Sequence, residues 1–537
     1  MIEEETNKTD QVNESPKEQG EESVFSESTS DFLLDRLLYK GVLPRYAFPT
    51  DVATFYVFDQ DNCTAVRPVF KFSPSQGLAI ALTQYAPGKE VWIAGKVYIS
   101  GAIYSPMRKE LSEMWQKRKL YAECSVCGYA KTFNYDQNMR NVRIDCEACG
   151  NKGTVGPTRV WLRPPGFAHP VDVDEKTSLE DQPDRSYATR AKLDNPTPSE
   201  HENWIILNDR LKVFGMREHL LVTNSGPKKE GYSLCTLCNR IEATVQHKSQ
   251  VLTPHRTPYP DQNTCLGGKT AKSVVLGTDF ITDILLISMK VASPMTLKPG
   301  ITSTHVVLRT LSEAIGKAAC NKLELESGEI MSEYRPSLTA NGWSGLEAEI
   351  FLYDTLPGGA GFSSNLDRLG ISLFEDALDI LENCPENCEK SCYRCLRSYK
   401  NKFEHSLLDR QLGAHLLRYL LTGDMQSFSE KRLQLAADLL ANDLNRQAGD
   451  SLVIKRNETI TIPGFEVIIV PILIVKEDGD QFLVDVTNPL MPNYPSNKKL
   501  SDLMEFSTSP VLVIDELTIR NHLSSATLNI LKKTGIG

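Results

Sequence analysis

The chain has 537 residues, 41% of them hydrophobic and 24% charged, with a formal net charge of −10. This length supplies core for roughly two to four domains, and the composition excludes a collagenous, low-complexity or wholly disordered chain. The negative balance argues against a uniformly basic nucleic-acid binder, but Met1 to Asp31 holds ten acidic residues against Lys8 and Lys17, which leaves only −2 for everything after it. Local basic patches are therefore permitted in the body.

Taken in chain order, residues 1–31 are acidic and poor in apolar side chains, the pattern of a disordered tail. Residues 32–185 form an N-terminal α+β region, in which YAPGKEVWIAGKVYISGAI (85–103) alternates and ends in glycine turns, predicting a small β element. Within it lie CSVC (124–127) and CEAC (146–149), two C-x2-C pairs separated by eighteen residues. Cys124, Cys127, Cys146 and Cys149 together supply the four thiolates of a closed structural zinc ribbon. Around it stand Lys117, Arg118, Lys119, Lys131, Arg140, Arg143 and Lys152, with Phe133 and Tyr135. Lys131, Arg140 and Arg143 are candidate nucleic-acid contacts, although the same residues also read as an ordinary solvated charged surface. Residues 172–184 are acidic and contain proline, either a linker or a plain solvated loop.

The next region, 186–300, is α/β and carries CTLC (235–238) without a second pair. His255 and Cys265 downstream complete a Cys3His set with Cys235 and Cys238, and His247 is a rival for the imidazole position. CLGGKTAKS (265–273) ends like a phosphate-binding loop, but Asn263 stands where the first glycine should be, so no ATP site is read there.

In 301–424, apolar positions from Val306 to Leu323 predict a helix capped by Ser303 or Thr304, with Cys320 in its core face. A buried strand (349–355), the turn LPGGAG and a helix from Leu366 to Leu381 then lead to CPENCEKSCYRC (384–395), with another helix from Ser406 to Leu421. The glycine turn reads either as an anion cradle or as a tight turn that packs helix on strand, with Asp354 at the strand end. Cys384, Cys388, Cys392 and Cys395 are spaced x3-x3-x2, which favours zinc over disulfides in a reducing compartment, with a four-iron cluster as the minor alternative. Arg394, Arg397, Lys400 and Lys402 follow closely, interleaved with Tyr393, Tyr399 and Phe403, and are further candidate DNA contacts, although they also read as a solvated basic helix start. Residues 425–537 have β-rich runs and a final helix, the pattern of a separate α/β domain. The expected fold class is thus mixed α/β and α+β, multidomain, with inserted zinc-ribbon and knuckle modules, binding about three Zn²⁺ per chain.

There is no basic leader, and the apolar run from Val467 to Val475 is interrupted by Pro471 and too short to span a bilayer, so a cytoplasmic protein without membrane contact is expected.

LYDTLPGGAGFS (352–363) followed by CPENCEKSCYRCLRSYKNKFEHSLLDR (384–410) resembles the zinc-binding domain of MrfA-type superfamily-two DNA helicases, and 84–103 and 275–287 are similar to upstream parts of that family. The motor is what departs, since a Walker A lysine and a DEAD/DEAH-type box are both missing. Stand-alone chains of this kind resemble DrmB, a component of the DISARM anti-phage system. That resemblance implies an accessory subunit without ATPase activity, a DrmA-like DNA helicase as partner, DNA binding by the complex and a role in antiviral defence. Two other expectations compete with it. One is a metal-dependent nuclease built on Asp478, Asp480 and Asp485. The other is a protein-interaction scaffold without DNA contact.

Overall fold

The computed structural model describes residues 51–535 except 64–67, 176–187, 200–201, 245–250, 252, 262, 426, 462–466, 497 and 507–509. The acidic tail, most of the 172–184 segment and His247 lie outside the described residues.

The architecture is mixed α and β. Its backbone is a ten-stranded sheet in which β1 (Lys119–Glu123), β2 (Ala130–Asn134), β3 (Arg159–Leu162), β4 (Leu211–Asn224), β5 (Thr270–Lys290), β6 (Ile330–Pro336) and β7 (Glu347–Asp354) meet. β5 is the spine, running antiparallel to β4 from Leu276 to Met289 and to β7 from Ile284 to Lys290, and parallel to β3 at Val275 and Leu276. Its sequence, TAKSVVLGTDFITDILLISMK, is rich in β-branched residues, and its last third is apolar almost without interruption because both faces are covered. Gly277 is required on this strand, since a Cβ there would sit 2.1 Å from the indole nitrogen of Trp161 on β3.

Period-two alternation divides the two faces. Leu285, Ile287, Ile350 and Leu352 face helices α1 (Thr302–Lys322), α2 (Ser372–Glu382) and α3 (Arg410–Thr422). Ile284, Leu286, Phe351 and Tyr353 face the N-terminal layer, where Phe55, Leu82, Tyr98 and Phe167 are fully buried or nearly so. The 85–103 segment forms the predicted β element as a hairpin, Glu90–Ile93 with Lys96–Ile99, followed by Ala102–Ile103.

α1 covers the predicted helix, but Ser303 and Thr304 lie inside it and Ile301 occupies the cap position without a side-chain bond. Tertiary burial of nearly every face stabilises its first turn instead. Cys320 is buried on α1, as its spacing predicts. The expected helix 366–381 is broken at Gly370, which has φ +55° and separates a short 3-10 turn, Leu366–Leu369, from α2. Downstream, 402–407 is also 3-10, and α3 begins only where the Asp409 carboxylate accepts from Leu412 N at 3.1 Å.

The last segment is an α/β unit led by α4 (Glu430–Ala448). Strands β8 (Leu452–Ile460), β9 (Ile468–Lys476) and β10 (Gln481–Thr487) are antiparallel neighbours, and β11 (Val511–Asp515) joins β10 in parallel. α4 and the C-terminal helix Leu523–Lys533 cover one face; Lys498–Phe506 covers the other. Pro471 sits just before Ile472, where pairing with β10 starts, so its missing N–H costs that ladder nothing.

This unit is joined to the helical layer by polar groups that are almost fully buried. Arg432 on α4 donates to Asp409 at 2.8 Å and to Glu516 at 2.9 Å. Asn488 Nδ2 donates to His415 Nε2 on α3 at 2.9 Å. Burial, helped by nearby Arg418, holds His415 down to about 4, so its neutral form is the one that folds. A histidine pKa depressed in the fold contributes stability above its unfolded value near 6.5, and this is lost as pH falls toward 4. Acidification from pH 7 to pH 5 is expected to cost about 2 kcal/mol through this residue. Urea titrations of wild type and His415→Gln at both pH values measure this as a smaller pH-dependent loss in the variant.

Candidate metal centres

Three groups of donors stand out among the described residues: Cys124, Cys127, Cys146 and Cys149; Cys235, Cys238, His255 and Cys265; Cys384, Cys388, Cys392 and Cys395. Within each, the ligand atoms all lie within 4.8 Å of one another. Zinc–sulfur bonds of about 2.3 Å in a tetrahedron place sulfurs about 3.8 Å apart, whereas a disulfide places them at about 2.05 Å. The observed separations are 3.8 Å for Cys124–Cys149, 3.6 Å for Cys127–Cys146, 3.7 Å for Cys235–Cys265 and 3.5 Å for Cys384–Cys392. All thirteen cysteines are free thiols. The sulfur geometry is thus that of a tetrahedral ion site, and the residues present fit zinc at all three places.

Local sequence explains how each loop closes. After Cys127 and Cys149 come Gly128 and Gly150, with φ of +72° and +69°, and each donates its N–H back to the carbonyl of the first cysteine of its pair, at 3.1 and 2.9 Å. Asn239 takes that place after Cys238, with φ +59°, and Asn387 does so before Cys388, with φ +43°. Asparagine tolerates this left-handed conformation better than other side chains do. Outer contacts then fix the ligands. The Asn151 amide donates to Cys149 Sγ at 3.1 Å, and Cys392 N donates to Cys395 Sγ at 3.2 Å. His255 presents Nε2 to Cys238 Sγ at 3.2 Å while Nδ1 lies 2.7 Å from the Thr253 carbonyl, an arrangement that selects Nε2 as the metal-facing nitrogen. Burial first, and then the neighbouring thiols, push Cys388 up; four thiolates so close together become favourable only around a cation.

The knuckle is part of the main core. Cys384, Cys395 and Leu396 pack with α1, α2 and α3, and Lys317 on α1 donates to the Cys395 carbonyl at 2.5 Å. Arg410 at the start of α3 reaches the Cys388 and Leu381 carbonyls.

The candidate DNA contacts separate into two kinds. Lys131 is paired with Glu147 at 2.9 Å, Arg397 donates to Ser391 at 3.0 Å and Lys400 donates to the Ser327 carbonyl at 2.5 Å. Arg140 and Arg143 are exposed on the ribbon, and the Arg394 side chain is 74% exposed with Glu386 at 3.9 Å. Lys402 lies over the Tyr399 ring at 4.0 Å. Tyr393, Tyr399 and Phe403 are 67%, 77% and 64% exposed, an unusual density of open aromatic surface beside a metal site.

LPGGAG proves to be a turn whose donors are already occupied. The Asp354 carboxylate accepts from Ala360 N, Phe362 N and Ser363 N at 2.7, 3.1 and 2.8 Å, and Asp283 accepts from Gly361 N at 3.1 Å. An anion would find two carboxylates in its place. Gly359 has φ +69°, and a Cβ there would lie 1.9 Å from Asp283. Asp354→Ala is expected to destabilise the protein by about 2 to 4 kcal/mol by stranding these amides, a shift that guanidinium denaturation reads directly.

The acidic trio of the nuclease expectation does not converge. Asp478 and Asp480 pair with Lys476 in the β9–β10 turn, while Asp485 is buried and accepts from Ser496 Oγ at 2.8 Å. Sequence reasoning missed the cluster in which Arg190, Arg309, Glu313, Glu333 and Glu404 pair with one another, because its members come from distant segments that carry no shared motif. CLGGKTAKS leads directly into strand β5, not into a helix, so the phosphate-loop likeness has no structural counterpart.

Residues 311–396 match the MrfA Zn-binding domain, a span that contains α1 from Leu311 onward and all four knuckle cysteines. The chain is 30% identical over 424 residues to Druantia protein DruE of Escherichia coli (strain UMEA 4076-1), a match that covers 73% of this chain and 22% of the relative. The chain therefore spans about a fifth of the length of that protein. Among solved structures, the DUF1998 helicase MrfA bound to DNA aligns at 11% identity with a TM-score of 0.32, covering 69% of this chain and 34% of the helicase. MrfA bound to DNA and AMPPNP aligns at 10% identity with a TM-score of 0.25, covering 66% and 31%. What these findings establish is a zinc-binding domain of a helicase-associated kind, in a chain similar to DruE.

Proposed function

We propose that the chain is a non-catalytic, zinc-bearing accessory module that holds DNA for a helicase motor in an anti-phage defence system. The observation that carries this is the face beside the third zinc site, where Tyr393, Tyr399 and Phe403 stand open to solvent with Lys402 and Arg394 among them. Cations neutralise phosphates and release counterions, open rings stack on bases, and a metal-fixed loop presents both without large ordering cost. The match to the MrfA Zn-binding domain supports the helicase association, and the similarity to Druantia protein DruE supports the defence role. In its finer form the proposal gives the chain a DrmB-like role beside a DrmA-like helicase; more broadly, the DruE similarity supports a defence role and the MrfA Zn-binding match a helicase association, with the motor on the same polypeptide or on a partner. No helix among the described residues is long and apolar enough to cross a membrane.

The test is fluorescence anisotropy of zinc-loaded protein with DNA across a salt titration. Arg394→Glu with Lys402→Glu is expected to weaken binding at least tenfold and to flatten the salt dependence, and Tyr399→Ala to cost about 1 to 3 kcal/mol. A scaffold without DNA contact predicts no change in either variant.

A further inference from the structure

A groove of about 500 Å³ lies where the first two zinc modules approach each other, away from the knuckle. Its walls are Trp115, Arg118, Tyr135, Arg140, Thr236 and Lys269, completed by Val160, Thr270 and Ala271, so it carries three cations and two aromatic rings and no acidic residue. Arg118 lies over the Tyr135 ring at 3.9 Å and is anchored by donating to the Trp115 carbonyl at 2.6 Å, an arrangement that presents a flat guanidinium and ring stack. The Trp115 indole N–H is buried without a protein acceptor.

Both zinc sites fix this geometry. Thr236, inside the Cys235–Cys238 loop, donates through its N–H at 2.9 Å and its hydroxyl at 3.0 Å to the Lys269 carbonyl, tying that lysine to the second centre. Arg140 belongs to the ribbon, whose next residue, Asn141, donates to the Thr158 carbonyl at 2.9 Å. Leu237 and Leu266, on the same loops of the second centre, are 51% and 80% exposed and provide open apolar surface.

We propose that this groove is a second nucleic-acid site, specific for single-stranded DNA, which passes between the ribbon and the Cys3His centre. The inference rests on the DNA-binding reading above for its ligand, but not on the knuckle face. Three cations without a carboxylate select a polyanion, and an open site of this breadth leaves a splayed base and its phosphate free access to the rings. Stacking on Trp115, Tyr135 or the Arg118 plane needs an unpaired base, which a duplex does not offer.

The experiment uses the full zinc-loaded chain and a fluorescent oligothymidylate, with ultraviolet crosslinking and peptide mapping. Arg140→Glu with Lys269→Glu changes two exposed side chains, so three zinc ions per chain should be retained. This pair is expected to weaken single-strand binding at least tenfold, to make the salt slope shallower by about 1.4, and to leave any duplex binding unchanged. Tyr135→Ala should lose the crosslink at this segment and Tyr135→Phe should keep it. Crosslinks confined to the Tyr393–Phe403 segment, with the groove variants binding normally, overturn the groove and leave the knuckle reading standing. Equal loss of single-strand and duplex binding overturns the strand preference. Crosslinks in the groove with the knuckle variants silent overturn the knuckle reading alone.

Discussion

Replacing Cys395 with Ser is expected to release one of three zinc ions and to unfold the helical layer, not merely the loop. Structural zinc contributes on the order of 10 kcal/mol to small modules, comparable with the whole stability of an ordinary domain. The effect spreads because Cys384, Cys395 and Leu396 are members of the core that also contains Leu311, Ile315, Leu373, Leu381 and Leu412. The Lys317 and Arg410 bonds to the loop carbonyls are lost with it. Elemental analysis should return two zinc ions per chain, and hydrogen exchange should show α1 and α3 unprotected. Retention of three ions with native exchange would contradict a metal-dependent core. The ribbon offers a contrast, since Cys124, Cys127, Cys146 and Cys149 form a small cluster of their own with Tyr129 and Val155. Cys146→Ser should therefore lose an ion while leaving α1 protected.

The second large effect is expected at Arg432. Its guanidinium is 4% exposed, and the Asp409 and Glu516 carboxylates it bridges are 2% and 0% exposed. Arg432→Met strips the buried Asp409 carboxylate of its cation and leaves buried Glu516 with Arg520 alone, 3.1 Å away, which costs about 3 to 5 kcal/mol. The loss should appear as separation of the 430–535 unit from α3, because Arg432 is on α4 and Asp409 caps α3. Limited proteolysis after 422 and a split denaturation curve are the readouts. The triple variant with Asp409→Asn and Glu516→Gln should recover a large part of the loss, since it removes the stranded charges.

Much of the candidate site was legible in the sequence because its chemistry is local. C-x2-C and C-x3-C spacings put sulfurs within reach of one ion whatever the rest of the chain does, and the residue following or preceding them, glycine or asparagine, already signals the left-handed turn. His255 was proposed with His247 left as its rival, and the fold pairs His255 with Cys265 across a two-residue ladder and sets its Nε2 3.2 Å from Cys238 Sγ. Local spacing could not decide which cations remain open. Lys131, Arg397 and Lys400 look equivalent to Arg140, Arg394 and Lys402 in a composition count, yet the fold gives the first three close hydrogen-bonded partners, while Arg394 meets Glu386 only at 3.9 Å and Lys402 lies over the Tyr399 ring.

By itself, then, the sequence determined the three metal centres, the mixed α and β content and the strand at 349–355, all properties set by periodicity or by donors close in the chain. The tertiary structure alone decided the rest. It threaded β5 through a sheet that takes strands from residues 119 to 354, across three of the regions the sequence delimits. It filled the LPGGAG cradle with Asp354 and Asp283, kept Asp478, Asp480 and Asp485 apart, and brought Trp115, Tyr135 and Lys269 into one groove. The physical reason is common to all of these. Which groups finally meet, whether a few residues or more than a hundred apart, is fixed by which apolar faces bury each other, and that choice leaves no mark at the spacing of a motif.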